Sequence, residues 1–131
     1  MIFRNYLLRA LAADDLAALI PAMREVSLPA GQVIHMPGDA IEGVYFPSTS
    51  VLSIVTTMKD GRTVETATVG FESAVGLLPA MGELPASTQA FAQIGGGAIT
   101  ITAAALRQRS AASPVLTRLL LRFAQSNATQ T

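Results

Sequence analysis

A chain of 131 residues, 50% hydrophobic and 14% charged, has enough apolar material for one folded domain and too little charge for disorder. It contains no cysteine, which excludes disulfides, thiolate catalysis and Cys-ligated metal or iron–sulfur centres, and fits a reducing compartment. Formal net charge is zero, yet residues 1–100 carry five basic and nine acidic side chains (−4), whereas residues 101–131 carry Arg107, Arg109, Arg118 and Arg122 with no acid (+4). Such a basic end either meets phosphate or an acidic partner, or decorates solvated helix faces near C-terminal dipole ends. A nucleic-acid domain is usually far more basic. No apolar run reaches the ~18 residues of a membrane span, and Met1 to Tyr6 lack the order of a signal peptide. A cytoplasmic protein without membrane contact is the expectation.

Residues 3–12 and 14–24 read as two short helices. Leu16, Leu19, Ile20 and Met23 fall at i, i+3, i+4 and i+7 and make one apolar stripe. Asp14 and Asp15 sit in the first turn, where carboxylates suit the helix dipole, and Pro21 kinks the element or opens its last turn. Arg24 to Leu28 and Gln32 to His35 read as strands around Pro29-Ala30-Gly31, with a second break at Pro37-Gly38-Asp39. His35 is the only histidine, and no partner for it is visible, so a structural or surface role is expected.

Two β-rich arms follow. Leu52, Ile54, Thr56 and Met58 alternate with Val51, Ser53, Val55 and Thr57; Val64, Thr66 and Thr68 alternate with Thr63, Glu65, Ala67 and Val69. Asp60-Gly61 between them predicts a two-residue type I′ hairpin, and Gly70 stops the second arm. Phe71 to Leu78 reads as a short helix whose N-terminal N–H groups either face an anion or are capped by Glu72. Pro79 to Pro85 reads as a loop, Ser87 to Ile94 as a strand, Gly95-Gly96-Gly97 as a turn and Ala98 to Ile101 as a strand. Thr102 to Arg109 is helical by Ala and Leu content. Ser113-Pro114 supplies an N-cap and first position for a last helix, with Val115 or Leu116, then Leu119, Leu120 and Phe123 on its apolar face and a polar, frayed tail from Ser126. Short strands broken by Gly and Pro turns predict a mainly β jelly roll with flanking helices.

The order Val44-Tyr45-Phe46, Val51-Leu52-Ser53-Ile54, Asp60-Gly61, then Val69-Gly70-Phe71-Glu72-Ser73-Ala74-Val75-Gly76-Leu77-Leu78 resembles the effector domain of the Crp/Fnr family of bacterial transcription regulators. Leu28-Pro29-Ala30-Gly31-Gln32-Val33-Ile34 and Pro37-Gly38-Asp39 fit the same pattern, and the likeness runs over roughly residues 5 to 125. It implies a single cyclic-nucleotide-binding-type β-roll, a double-stranded β-helix: N-terminal helices over 1–24, the roll over 25–101 and C-terminal helices over 102–131. The resemblance also implies a long last helix that joins two subunits and leads to a DNA-binding domain. Here the same apolar face could equally close its own roll. Leu116, Leu119, Leu120 and Phe123 are the candidates for that helix interface, and a homodimer is the expected assembly.

In such pockets a helix N-terminus and an arginine neutralise the cyclic phosphate, and a carboxylate takes the ribose hydroxyl. Gly70, Glu72 and Gly76 match this pattern in part, but no Arg or Lys occurs between Arg62 and Arg107, and Pro85-Ala86-Ser87-Thr88 stands where the arginine belongs. A partly buried anion without a cation lacks several kcal/mol of compensation for its desolvation. Tight binding of cAMP or cGMP is therefore not expected, and no cofactor is. A less charged small-molecule effector, or none, would occupy the candidate residues Gly70, Glu72, Ser73, Ser87 and Thr88. Catalysis is not expected either: one histidine, no cysteine, no GxxxxGK[ST] or GxGxxG, and no His–Asp partner for Ser110 or Ser113 leave neither a metal cluster nor a nucleophile. DNA would be bound only through a domain outside this chain; a stand-alone β-roll module without DNA is the alternative.

Overall fold

The computed structural model describes residues 3–129 as two antiparallel sheets flanked by helices at both ends. The chain runs α1 (Tyr6–Arg9), α2 (Ala13–Leu19), a 3₁₀ turn (Ile20–Ala22), β1 (Met23–Leu28), β2 (Val33–His35), β3 (Gly43–Pro47), β4 (Val51–Thr57), β5 (Thr63–Val69), α3 (Leu77–Gly82), β6 (Gln89–Ile94), β7 (Gly96–Thr102), α4 (Ala103–Ala112) and α5 (Pro114–Thr129). The strand orders are β1-β7-β3 and β2-β6-β4-β5. Leu28 and Ala98 of one sheet pack on Leu52, Val69, Ala90 and Ala92 of the other, and small alanines let the two layers approach. A second core, with Leu7, Leu8, Leu19, Phe46, Ile101, Leu106, Leu116 and Leu120, lies between the three-stranded sheet and the helices. Pro47 is tolerated in β3 because that strand is an edge.

Several local expectations change. The first helix spans only Tyr6–Arg9, because buried Asn5 caps it by accepting from Leu7 and Leu8 N–H. Its amide donates to Pro47 O (2.8 Å) and Ser73 O (2.7 Å), fixing the chain ahead of the helix. The second helix ends at Leu19, with Pro21 inside a 3₁₀ turn, and Met23 already belongs to β1. Of its stripe, Leu19 is buried while Ile20 is 39% exposed. The β4–β5 hairpin is not a two-residue type I′ turn: Gly61 has φ +89° while Asp60 does not have positive φ. Lys59-Asp60-Gly61 form a three-residue loop, closed by Met58 N–H on Arg62 O (2.7 Å), and the Asp60 carboxylate takes the Arg62 N–H and guanidinium.

Gly96 and Gly97 are strand, not turn, pairing with Leu28 and Ser27 of β1. A Cβ on Gly96 would lie 2.7 Å from the backbone at Thr49 and Ser50, so the third strand connection passes too close for any side chain. The last helix reaches Thr129, past the expected fraying point at Ser126; Gln130 and Thr131 lie outside the described residues. Its start is as expected, with Ser113 Oγ accepting from Leu116 N–H at 3.1 Å. Asp15, by contrast, does more than suit a dipole. It is 1% exposed and accepts from Arg109 Nε (2.8 Å) and Ser113 Oγ (3.0 Å), joining α2 to the α4–α5 junction.

Candidate functional site

The segment after β5 decides the site. Phe71 to Gly76 is not helical. Tyr6 N–H donates to Phe71 O (2.7 Å), and Tyr45 and Val75 exchange two backbone bonds (3.1 and 2.8 Å) as an isolated antiparallel bridge to β3. Phe71 and Glu72 form a turn, and only Val75 is bridged to β3, so these partners hold the segment out of a helix. Gly76, at φ +101°, then turns the chain into α3, so the helix occupies Leu77–Gly82 and takes in part of the expected 79–85 loop. Pro79 reads as a breaker but sits in the first turn, where no intrahelical N–H is needed. The helix ends on Glu83 in the left-handed region at φ +53°.

A cavity of about 230 Å³ opens at this corner, walled by His35 of β2, Ile54 of β4, the 74–79 segment, Ala86, Ser87, Thr88 and Ala124 of α5. Most of that wall is apolar. Among the described residues its polar side chains are His35, Ser87 and Thr88, and no Arg, Lys, Asp or Glu lines it. His35 is 9% exposed. Burial pushes its imidazole below the ordinary value of 6.5, and the nearby Asp39 carboxylate opposes that in part. Asp39 itself is held by the 36–39 turn and by Ala86 N–H on its carbonyl (2.8 Å), which ties the β2 exit to the Ser87 end of the site.

The expected pocket residues divide. Ser87 and Thr88 share the cavity. Gly70 and Glu72 line a different depression, beside Arg4, Ser48 and Thr68, where Gly70 N–H donates to both Glu72 carboxylate oxygens (3.0 and 3.1 Å). Glu72 thus satisfies the backbone of its own turn. Ser73 is 3% exposed, in neither wall; its carbonyl takes Asn5 and its hydroxyl has no hydrogen-bond partner. Arg107, the next cation after Arg62, lines a third depression with Glu42 and donates to Ala80 O (2.8 Å) while pairing with Glu83 (3.2 Å). It clamps the end of α3 and stays outside the cavity wall. An anion in the cavity would therefore meet neutral donors alone.

Gly76, part of the pocket pattern in the sequence, lines the cavity, whereas sequence reasoning gave His35 no site role and did not name Ala124. Ala124 was within reach, since Leu116, Leu120 and Ala124 repeat every four residues along one helix face. His35 had no local signal. Of the helix residues expected at an interface, Leu116 and Leu120 are 0% exposed and sit in the subunit's own core. Leu119 and Phe123 are half-buried, while Val115 and Leu121 stand 55% and 46% exposed. Among the described residues no group of His, Cys, Asp or Glu could hold a metal, and no helix is long and apolar enough to cross a membrane.

The shape is shared with known sensor domains. The chain superposes on the catabolite activator protein of Thermus thermophilus with a TM-score of 0.78 at 16% identity, covering 95% of this chain and 58% of that one. The N-terminal domain of a transcriptional regulator from Streptomyces coelicolor gives 0.71 at 24% identity, covering 97% and 91%. The sensor domain of the transcriptional regulator DNR from Pseudomonas aeruginosa gives 0.70 at 15% identity, covering 95% and 81%. This chain thus spans less than two thirds of the Thermus protein and nearly all of the isolated Streptomyces domain. No curated protein matches it. At these identities the likeness establishes the fold, that of the effector domains of Crp/Fnr-type regulators. Residues 25–112 match the cyclic nucleotide-binding domain family, and the chain belongs to that family.

Proposed function

We propose that this chain is the ligand-sensing effector domain of a Crp/Fnr-like bacterial transcription regulator, cytoplasmic, homodimeric and without catalytic activity. It reaches DNA through a domain outside this chain and does not bind cAMP or cGMP tightly. One observation carries the reading: Ala124 of the last helix forms part of the same cavity wall as Ser87, Thr88 and the start of α3. A ligand that fills the cavity contacts α5 directly, so occupancy changes the packing of the helix that leaves the domain. The cavity's lack of a cation supports the exclusion of cyclic nucleotides.

Two measurements test this. The native gene product should exceed 13.7 kDa by a small domain, on the order of 60–100 residues. A product of the present size would remove the DNA-binding half of the proposal. Millimolar cAMP or cGMP should leave the melting temperature unchanged, since a ligand that binds only the native state must raise it; a rise at micromolar nucleotide would overturn the exclusion. Full burial of Leu116 and Leu120 within one subunit favours, as a second reading, a stand-alone β-roll binding module.

A further inference from the structure

The cavity at the α3–α5 corner has a narrower chemistry than its fold requires. Its volume, about 230 Å³, exceeds the roughly 150 Å³ of an apolar cavity that takes up benzene. An aromatic or short aliphatic body with one polar end therefore fits, and the Ile54, Val75 and Leu77 surfaces supply its contacts. At the polar end His35 is 9% exposed and, among the described residues, neither its ring nor the Ser87 and Thr88 hydroxyls hydrogen-bond to the protein. A neutral imidazole offers one donor and one acceptor, and each hydroxyl offers both. Burial favours that neutral form of His35. Together these groups answer a head group that both donates and accepts, and no cation in the wall compensates a negative charge.

We propose that the cavity binds a neutral, mainly apolar small molecule with a single amide or hydroxyl head, seated on His35, Ser87 and Thr88. This rests on the reading of the corner as the effector site. His35, the sole histidine, gives one imidazole Cε1–H resonance that reports the head-group end, and the Ala124 methyl reports α5. The test titrates benzamide, benzyl alcohol and benzoate, similar in shape and different in charge, into the 13C-labelled protein and its Thr88→Val variant.

Benzamide or benzyl alcohol should shift the His35 resonance to saturation, several-fold more weakly in Thr88→Val. Benzoate should bind at least about tenfold more weakly than the better neutral probe. Benzoate binding as tightly as the neutral probes would overturn the proposal, as would a His35 resonance that no neutral probe moves at millimolar concentration. If benzoate alone moves the Ala124 methyl, the neutral class fails and the sensor reading stands. If the neutral probes saturate His35 without moving Ala124, the ligand class stands and the sensor reading fails.

Discussion

Leu120→Ala separates the two roles of the last helix. Leu120 is 0% exposed in the cluster that includes Leu8, Leu106 and Leu116, so truncation leaves a cavity inside one subunit. Buried Leu→Ala substitutions cost about 2–5 kcal/mol, and about 3 is the central expectation for a site walled by well-packed helices. For 131 residues the unfolding entropy near the midpoint is about 275 cal/mol/K, so 3 kcal/mol corresponds to a fall of about 11 °C. Leu119 is only half-buried, and Leu119→Ala should cost about 1 kcal/mol, or about 4 °C. The assay is thermal unfolding followed by circular dichroism at several protein concentrations. If Leu120 serves its own core, the loss is independent of concentration. A loss below about 3 °C, or one that vanishes on dilution of both proteins, would refute the reasoning and return Leu120 to an intersubunit surface. For the same reason Leu120→Glu is a test of folding; a dimer test belongs at exposed Leu121 or Val115.

Gly96→Ala should destabilise despite an ordinary backbone conformation, because its Cβ would meet backbone atoms at 2.7 Å; about 1–3 kcal/mol is expected from urea melts, and a stabilised variant would refute the close approach. Asp15→Ala removes the buried acceptor of Arg109 and Ser113 and leaves Arg109 only the exposed Asp14 at 3.5 Å; with Arg109 part-exposed, about 2 kcal/mol is expected. If Arg109→Ala in the Asp15→Ala background costs as much as it does alone, the coupling is absent. His35 titrates below its ordinary value in the folded state, so the unfolded chain takes up a proton more readily. Stability should therefore fall as pH drops through about 6.5. The fall should be shallower in His35→Gln, and equal slopes in the two proteins would contradict the burial argument.

The strands were legible because their signals are local. Alternation across Val51–Thr57 and Thr63–Val69 and the Ser113-Pro114 cap each act within a few residues and were found in place, while Asp60-Gly61 marked the hairpin but not its three-residue loop. The missing cation was legible too, since no Arg or Lys between Arg62 and Arg107 is a fact of the sequence alone, and the cavity wall contains none. Tertiary structure decided what depends on distant partners. Phe71 to Gly76 has a helix-compatible sequence, yet bonds to Tyr6 and Tyr45 hold it as a turn and a one-residue bridge, and backbone groups already paired elsewhere cannot start a helix. Glu72 faces its own Gly70 N–H, while His35, over fifty residues before Ser87, closes the same cavity. Periodicity and turn chemistry fix a residue's element and face; which remote segment meets that face is set only when the two sheets and α5 pack.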